Sequence, residues 1–342
     1  MKAAQFHEYG GPEVLRYEDT ADPVPLPSEA LIRVRACGVN HVDLDHRAGT
    51  SRYPHRFPHI LGYEMAGEVL QAAADGSGPA VGTPVLVPFL VPCRHCELCE
   101  TGRDNLCPNA QRFGSNRPGG YAELTAAPAK ELLPLPAGLS YEEAAALQLA
   151  FGTAWHMLLT RGRLRAGETV LVNAAGSGIG SAAVQIAKLA GARVIATAGS
   201  DAKLAAARDL GADEAVNYRE SGWAAEIRRL TGGRGVDLVF EHVGGEIFTE
   251  SLDALALDGR IAICGAHAGE VVSLDLIALF RLQAQLIGSR VYNSAELKTL
   301  LALVAAGKLR PVVFKAIPLA EAAEAHRLLD RREQFGKVVL VP

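Results

Sequence analysis

Val170-Leu-Val172 runs directly into Asn173-Ala-Ala-Gly-Ser-Gly-Ile-Gly180, and an apolar, helix-favouring segment follows at 181–189. A short buried strand, a loop of small residues and a helix form the first half of a βαβ unit. Small residues let the backbone approach a pyrophosphate, and the helix N-terminus presents free N–H groups to it. Ala175 and Ser177 replace two glycines of G-x-G-x-x-G, so the motif alone would also suit a plain turn. Its position between strand and helix predicts a dinucleotide-binding loop of Ala175, Gly176, Ser177, Gly178, Ile179 and Gly180.

The same alternation of strand and helix continues around this loop, from residue 168 to residue 265. The predicted strands are 170–172, 193–197, 214–216, 236–240 and 260–264. The predicted helices are 182–189, 203–210 and 223–230, with a glycine soon after each. Short connections between alternating strands and helices predict a parallel sheet covered on both faces, which is an α/β, doubly wound Rossmann fold.

Residues 1–125 have a different pattern, because proline and glycine separate short β-favouring runs at 31–34, 67–70 and 85–87. This pattern predicts a β-rich, barrel-like domain with long loops. Ser140-Tyr-Glu-Glu143 has the spacing of a capping box and predicts a helix that continues over 144–149. The C-terminal run 336–341 predicts a further strand, which we expect to return to this first domain.

Four of the six cysteines cluster with the spacing C-x2-C-x2-C-x7-C. They are Cys93, Cys96, Cys99 and Cys107. Disulfides and a redox C-x-x-C pair are the alternatives, but no secretion signal favours the first and the second needs only two thiols. The spacing predicts one structural Zn²⁺ in a lobe at about 92–108. Because four protein ligands leave no open position on the metal, we expect the chemistry of the protein elsewhere.

Length and composition indicate a globular protein of two domains, with 342 residues of which 49% are hydrophobic and 21% charged. A net charge of −4 without a run of Lys or Arg argues against nucleic-acid binding. Lys2, His7 and Glu8 stand where a secretion signal would be apolar, and prolines interrupt the longest apolar runs. We therefore expect a cytoplasmic protein that binds neither nucleic acid nor membranes, in a compartment that keeps the zinc-binding thiols reduced.

The end of the second Rossmann strand indicates which dinucleotide binds. An NAD site typically has an acidic residue there, whereas this chain has Ala198. Ser200, Lys203 and Tyr218 are candidates to contact the 2′-phosphate of NADPH. Asp201 argues against a phosphate unless it caps the next helix. We predict NADPH as the cofactor, with NADH as the alternative.

Several motifs then occur in a characteristic order. They are Ala36-Cys-Gly-Val-Asn-His-Val-Asp43, Ile60-Leu-Gly-Tyr-Glu-Met-Ala-Gly-Glu68, the four-cysteine lobe, Gly119-Gly-Tyr-Ala-Glu123 and the phosphate loop. In this order the chain resembles the medium-chain dehydrogenase/reductase superfamily, which includes zinc alcohol dehydrogenases and quinone oxidoreductases. The resemblance implies a GroES-like catalytic domain over 1–150 and 290–342, a Rossmann domain over 151–289, and an active site in the cleft between them.

The chain departs from the zinc alcohol dehydrogenases at three positions. Asn40, Tyr63 and, near the third position, Leu149 stand where those enzymes have catalytic zinc ligands. Asn40 and Asp43 instead match the Asn-x-x-Asp pattern of quinone oxidoreductases. The resemblance therefore implies hydride transfer from NADPH to a quinone or an α,β-unsaturated carbonyl without a catalytic metal. An alcohol dehydrogenase with non-standard zinc ligands and a non-catalytic NADPH-binding protein are the alternatives.

The candidate catalytic residues are Asn40, Asp43, Tyr53 and Tyr63. Either tyrosine could donate a proton to an enolate, although each could instead be a packing residue. By resemblance, further cofactor contacts are expected from Thr153, Gly265, Ser289 and Lys337.

Four histidines, His41, His46, His55 and His59, are interpreted as solvated loop residues, with an unusual metal site of Cys37, His41 or His59 and Glu64 as the alternative. An apolar segment at 271–288 predicts a strand edge that pairs with a second subunit, which gives a homodimer or a tetramer.

Overall fold

The computed structural model describes residues 1–342. Its strands are β1 (Lys2–Phe6), β2 (Arg16–Asp19), β3 (Glu29–Gly38), β4 (His59–Ile60), β5 (Glu64–Gln71), β6 (Pro84–Val87), β7 (Leu90–Val91), β8 (Gln111–Arg112), β9 (Leu124–Pro128), β10 (Leu133–Pro134), β11 (Thr169–Val172), β12 (Arg193–Ala198), β13 (Glu214–Asn217), β14 (Val236–Glu241), β15 (Leu255–Ile263), β16 (Gln285–Gly288), β17 (Val313–Pro318) and β18 (Lys337–Val341).

The helices are α1 (His41–Ala48), α2 (Glu97–Glu100), α3 (Tyr141–Ala145), α4 (Gln148–Trp155), α5 (Gly178–Leu189), α6 (Asp201–Asp209), α7 (Trp223–Leu230), α8 (Gly245–Asp253), α9 (Leu276–Arg281), α10 (Ser294–Ala305) and α11 (Ala322–Asp330). None of them is long and apolar enough to span a bilayer. The chain divides into a first unit, Met1–Leu149 with Leu297–Pro342, and a second unit, Ala150–Glu296.

The second unit is built on a six-stranded sheet in the order β13-β12-β11-β14-β15-β16. Every strand pair in it is parallel, and counted from β11 the order is 3-2-1-4-5-6, as in the doubly wound dinucleotide-binding folds. Leu171, Ile195 and Val239 point into a core completed by Trp223 and Ile227 of α7. The predicted parallel sheet is therefore confirmed, and its switch point lies between β11 and β14, where such sheets bind ligands.

The first unit is rich in β-structure. Its largest sheet has the strand order β10-β6-β5-β3-β18-β17, with β9 also paired to β3. The C-terminal strand β18 runs antiparallel to β3 and places Val339 opposite Gly38, so the prediction that the chain end returns to this unit is confirmed. This return carries Lys337 to the end of β3.

The predicted helix over 144–149 is wrong in its extent. The capping box is present, because Ser140 Oγ accepts a hydrogen bond from the Glu143 N–H at 3.1 Å, but α3 ends at Ala145. A new helix, α4, begins at Gln148, whose buried amide bonds the backbone of Phe89 and Val87 at 3.0 and 2.9 Å. These bonds give partners to two backbone groups of the first unit that would otherwise be buried without them.

Candidate functional site

The four clustered cysteines converge at one point of the first unit. Their ligand atoms all lie within 4.8 Å of one another, and Cys96 Sγ is 3.5 Å from Cys99 Sγ and 3.9 Å from Cys107 Sγ. Sulfurs held about 2.3 Å from one tetrahedral zinc lie about 3.8 Å apart, so the arrangement fits Zn²⁺. None of the six cysteines forms a disulfide, which argues against that alternative. In residues 1–342 this is also the one set of three or more His, Cys, Asp or Glu side chains that converges like a metal site, so the alternative site with Cys37 or His41 is not assembled.

The zinc-binding thiols differ in their tendency to ionise. Hydrogen bonding, chiefly from the backbone of His95, lowers the pKa of Cys93 to about 6. Burial raises the pKa of Cys99 to about 12. A bound dication would draw the proton from both, because coordination stabilises the thiolate.

The phosphate loop joins β11 to α5 in the second unit. Ser177 Oγ caps the helix by accepting a hydrogen bond from the Gly180 N–H at 2.9 Å. A Cβ atom on Gly180 would lie 2.4 Å from the Ala174 carbonyl oxygen and 2.8 Å from Ala175 Cα, so only glycine lets the helix pack this closely. Ala174 takes a left-handed conformation with φ 47° to make the turn. The loop thus leads into the N-terminus of a long helix, an arrangement that fits the pyrophosphate of a dinucleotide.

A buried polar network supports this loop from below. Asn173 Nδ2 donates to the Glu241 carboxylate and to Ser251 Oγ, the latter at 2.9 Å, while Asn173 Oδ1 accepts from Thr197 Oγ1 at 3.2 Å. The backbone oxygen of Asn173 lies 3.0 Å from His242 Nε2. Burial raises the pKa of Glu241 and lowers the pKa of His242 to about 4. Sequence reasoning missed Glu241 and His242, although their position at the end of the fourth strand of the sheet was a signal.

The ends of β12 and β13 form the other end of the candidate cofactor site. A Cβ atom on Gly199 would lie 2.9 Å from both Tyr218 Oη and Arg219 Nε, so these two side chains reach over the strand end. Ser200 occupies the N-cap position of α6, and Lys203 lies on the first turn of that helix. Arg219 was not predicted; its signal was its place immediately after Tyr218. Asp201 is the first residue of α6 rather than its cap, a position where a carboxylate favours the helix dipole.

Three further predicted cofactor contacts lie on or after elements of the same unit. Thr153 is buried on α4. Gly265 follows β15, and a Cβ atom there would lie 2.8 Å from the His242 carbonyl oxygen. Ser289 follows β16, where its N–H donates to the Ile263 carbonyl at 2.8 Å. The Ser289 hydroxyl is buried without a hydrogen-bond partner, which fits a polar ligand group at this position because such groups are rarely left unpaired.

In the first unit, a polar cluster that includes the candidate catalytic residue Asn40 is centred on the side chain of Glu64. This side chain is fully buried and forms an ion pair with the Lys337 ammonium. Its Oε2 accepts from Asn40 Nδ2 at 3.1 Å, and its Oε1 accepts from the Leu149 N–H at 2.6 Å. Lys337 also donates to Asn40 Oδ1 at 2.6 Å and to the Val39 carbonyl at 2.9 Å. Asn40 and Leu149 therefore meet at one carboxylate.

Asp43 caps α1 while the Asn40 side chain is engaged elsewhere. Its Oδ2 accepts from the Asn40 N–H at 2.8 Å and its Oδ1 from the Gly62 N–H at 3.0 Å. Burial raises the pKa of Asp43 to about 7, against the opposing effects of these two hydrogen bonds and of the Lys337 charge. Asn40 occupies the N-cap position of α1, so the loop-capping alternative fits its place in the fold.

Tyr63 lies in a cluster of imidazoles. Its hydroxyl is 2.6 Å from His46 Nε2, and the other nitrogen of His46 contacts His55 Nε2. The ring of His55 lies against that of His59, with 4.2 Å between centroids. Tyr53 is 52% exposed and stacks 6.4 Å from His46.

The interpretation of the four histidines as solvated loop residues is wrong for three of them. His46 and His59 are buried, with 1% and 8% of their surface exposed. His41 and His46 also lie on helix α1 rather than on a loop. These side chains are buried by packing against aromatic rings. The ring of Phe6, for example, lies 5.8 Å from that of His59, although the two residues are far apart in sequence.

Comparison with known proteins identifies the family. The chain matches the alcohol dehydrogenase GroES-like domain over residues 26–137 and the zinc-binding dehydrogenase domain over residues 178–306. A quinone oxidoreductase of Pseudomonas aeruginosa is 32% identical, over 100% of this chain and 99% of its own. A 2-haloacrylate reductase of Burkholderia sp is 31% identical, over 100% of this chain and 99% of its own. The crystal structure of an NAD-dependent alcohol dehydrogenase is 46% identical, covers 100% of both chains and superposes with a TM-score of 0.97. The chain therefore belongs to the medium-chain dehydrogenase/reductase superfamily, as an oxidoreductase with a GroES-like and a Rossmann domain.

Proposed function

We propose that this oxidoreductase transfers hydride from NADPH to a quinone or an α,β-unsaturated carbonyl without a catalytic metal. The observation that carries the proposal is the buried pair of Glu64 and Lys337. The ammonium already neutralises the carboxylate and would repel a second cation placed beside it. Asn40, Tyr63 and Leu149 offer neither thiolate nor imidazole at the positions that hold zinc in alcohol dehydrogenases.

A conjugated acceptor suits these residues, because its carbonyl delocalises the negative charge that hydride transfer creates. The dinucleotide, when bound to the loop at 175–180, supplies the hydride. Burial raises the pKa of Tyr63, so this phenol keeps its proton at neutral pH and can donate it to the developing oxyanion. Asn40 and Asp43 shape the polar end of the site, and Tyr53, on the exposed loop, is the second candidate donor. The 2-haloacrylate reductase among the relatives is named for reduction of an activated alkene, which is in keeping with this reaction class.

NADPH is the proposed cofactor, since the strand end carries Ala198 and no carboxylate. Tyr218, Arg219, Ser200 and Lys203 lie around that strand end, and arginine is the residue type that accommodates a 2′-phosphate. The solved relative described above is named for NAD, so NADH is the alternative that binding measurements must separate from NADPH.

We further propose a homodimer, with a tetramer as the alternative. β16 is the edge strand of the parallel sheet, and beside it Val271, Leu276 and Phe280 are 94%, 66% and 67% exposed. A second copy of the chain could cover these apolar side chains and pair with the edge strand at the same time, and both effects favour a dimer. Phe280→Glu should then yield monomers by light scattering, and a dimeric mass for this variant would contradict the proposal. Zinc held by four thiolates favours a cytoplasmic location, where thiols stay reduced.

Alcohol–aldehyde interconversion is the second candidate, favoured by the name of the 46% identical relative. The deciding experiment incubates purified protein with NADPH or NADH and a panel of naphthoquinones, enones, aldehydes and, in the oxidised direction, alcohols. Turnover of quinones or enones that resists a chelator supports the proposal. Turnover of alcohols that a chelator abolishes without unfolding supports a metal-dependent alcohol dehydrogenase. Tight NADPH binding without turnover of any acceptor leaves the non-catalytic alternative.

A further inference from the structure

A line of hydrogen-bonding rings leads from Tyr63 towards the surface of the first unit. Tyr63 Oη contacts His46 Nε2 at 2.6 Å, and His46 Nδ1 contacts His55 Nε2. The first two side chains are buried, with 5% and 1% exposed, whereas His55 lies half-buried on a loop whose neighbours Arg56 and Pro54 are exposed. His55 Nδ1 is buried and makes no hydrogen bond of normal geometry within the protein.

We propose that Tyr63, His46 and His55 form a proton relay that returns a proton to Tyr63 after it has protonated the reduced acceptor. The inference rests on the proposed function, because only a reduction consumes the proton that the relay delivers. Tyr63 is the residue that would meet the acceptor, while His46 and His55 act through it and are positioning and relay residues. His55 is the entry point, because it is the one side chain of the three that is not buried.

The relay balances one proton. After an acceptor has gained hydride, its oxyanion takes the proton of the Tyr63 hydroxyl. Tyr63 Oη then takes the proton from His46 Nε2, His46 Nδ1 takes the proton from His55 Nε2, and His55 Nδ1 takes one from solvent. Both imidazoles end neutral, with the proton on Nδ1 instead of Nε2, and one solvent proton has passed to the product. Both rings must return to the Nε2-protonated tautomer before the next turnover.

Neutral imidazoles are required for this transfer, because each then has one donor and one acceptor nitrogen. Burial, together with smaller effects of the neighbouring His55 and His59, lowers the pKa of His46 to about 3. Burial also lowers the pKa of His55. At neutral pH both rings are therefore uncharged.

The groups that face Tyr63 act in both directions on its pKa. Besides burial, Asp43 and Tyr53 raise it, whereas a hydrogen bond to Ser115 and the charge of Arg112 lower it. The phenol therefore stays protonated between turnovers.

His59 provides a matched control. It packs against His55 in the same cluster, but its Nε2 bonds the Gly114 carbonyl at 3.1 Å and it is not in line with Tyr63. His59→Gln keeps an amide N–H that can donate to that carbonyl. A role of the cluster in packing alone would make this variant as defective as the others.

The kinetic test compares His46→Gln, His55→Ala and His59→Gln with the unsubstituted protein, using an accepted quinone or enone. We expect His46→Gln to lower kcat about 100-fold, the lower end of the range for general acid catalysis, with the Kd of NADPH unchanged. His55→Ala should lose kcat likewise and regain it when free imidazole is added, because this position is half-exposed. His59→Gln should stay within about twofold. Unchanged kcat in His46→Gln, or no recovery of His55→Ala with imidazole, would overturn the relay.

A second measurement is independent of turnover. In protein labelled with 15N-histidine, a hydrogen bond between His46 Nδ1 and His55 Nε2 gives a coupling between the two nitrogens, which His55→Ala should abolish. Lack of this coupling near neutral pH overturns the relay even if the proposed reaction is found. If the protein reduces no acceptor, the proposed function fails, while the coupling still decides whether the two imidazoles are connected as described.

Discussion

Lys337 and Glu64 form a buried ion pair at the centre of the first unit, with only 6% and 0% of their side-chain surfaces exposed. Strand β18, at the chain's C-terminus, contributes the ammonium, and the start of β5 contributes the carboxylate. Asn40 connects both, since its amide donates to Glu64 and its oxygen accepts from Lys337. The carboxylate of Glu64 is therefore neutralised by a cation that the chain itself supplies.

Removing one partner of this pair is expected to destabilise the protein strongly. Lys337→Met leaves the Glu64 carboxylate buried without its counter-charge, at a cost of about 3–5 kcal/mol in the free energy of unfolding. The double variant Glu64→Gln/Lys337→Met removes both charges and should recover much of that loss. Urea unfolding of the single and double variants measures the difference. If Lys337→Met and the double variant were equally stable, the Lys337 and Glu64 charges would not stabilise each other.

Acid should destabilise the second unit through His242. Its folded-state pKa is about 4, below the value of about 6.5 expected when unfolded, so the unfolded chain binds a proton that the folded chain cannot. Stability is therefore lost as pH falls from about 6.5 towards 4. Between pH 7 and pH 5, wild type should lose about 2 kcal/mol more than His242→Gln. If wild type and His242→Gln lost the same free energy of unfolding between pH 7 and pH 5, His242 would not be held neutral in the folded protein.

Asp43 should have the opposite effect. Its folded-state pKa is about 7, above the value of about 3.9 in the unfolded chain, so the folded chain keeps a proton that the unfolded chain releases. Its contribution to stability is present at low pH and is lost as pH rises from about 4 through 7. From pH 5 to pH 7, wild type should lose about 2 kcal/mol relative to Asp43→Asn. The two proteins are compared by how steeply their free energy of unfolding changes with pH, because the substitution also changes the hydrogen bonds to Asn40 and Gly62.

Arg219 is expected to contribute to the choice of cofactor. If its guanidinium contacts the 2′-phosphate, Arg219→Ala should raise the Kd of NADPH about 10- to 100-fold and that of NADH hardly at all. Lys203→Ala should act in the same direction. Arg229→Ala, which removes an exposed arginine of α7 paired with Glu226, is the control. Equal weakening of both dinucleotides by Arg219→Ala and Lys203→Ala would refute the assignment, and fluorescence titration provides the measurement.

Zinc content tests the four-cysteine site. Protein purified without added metal should carry one zinc per chain, and Cys96→Ala should lose the metal and destabilise the lobe at about 92–108. Cys37→Ala, which removes a buried thiol outside this cluster, should keep its zinc. Two zinc ions per wild-type chain would contradict the metal-free site and bring alcohols and aldehydes forward as substrates.

Features encoded locally were predictable from the sequence. The strand, loop and helix around residues 170–189 follow from consecutive residues, and Ser177 and Gly180 act within one turn of each other. The four cysteines are likewise close in sequence, so their spacing alone indicated the zinc site. Arg219 was missed because an exposed arginine in a turn has no distinctive pattern until Gly199 is seen beside it.

The histidine cluster shows the limit of sequence reasoning. His46 and His55 look like solvated residues near prolines, and only packing shows that His46 is buried against Tyr63. The burial of a side chain depends on which distant residues cover it. Burial in turn lowers the pKa of a histidine, which the relay requires.

By itself the sequence determined the parallel α/β unit, the phosphate loop, the cysteine quartet and the absence of zinc ligands at residues 40, 63 and 149. Short-range signals suffice there, because hydrophobic periodicity and ligand spacing act over a few residues. Only the tertiary structure decided which charged group lies beside Asn40 and Glu64. Lys337 reaches Asn40 across 297 positions in the chain, through the pairing of β18 with β3. Strand pairing between segments so far apart depends on the whole fold, so no local pattern in the sequence could place that ammonium beside Glu64.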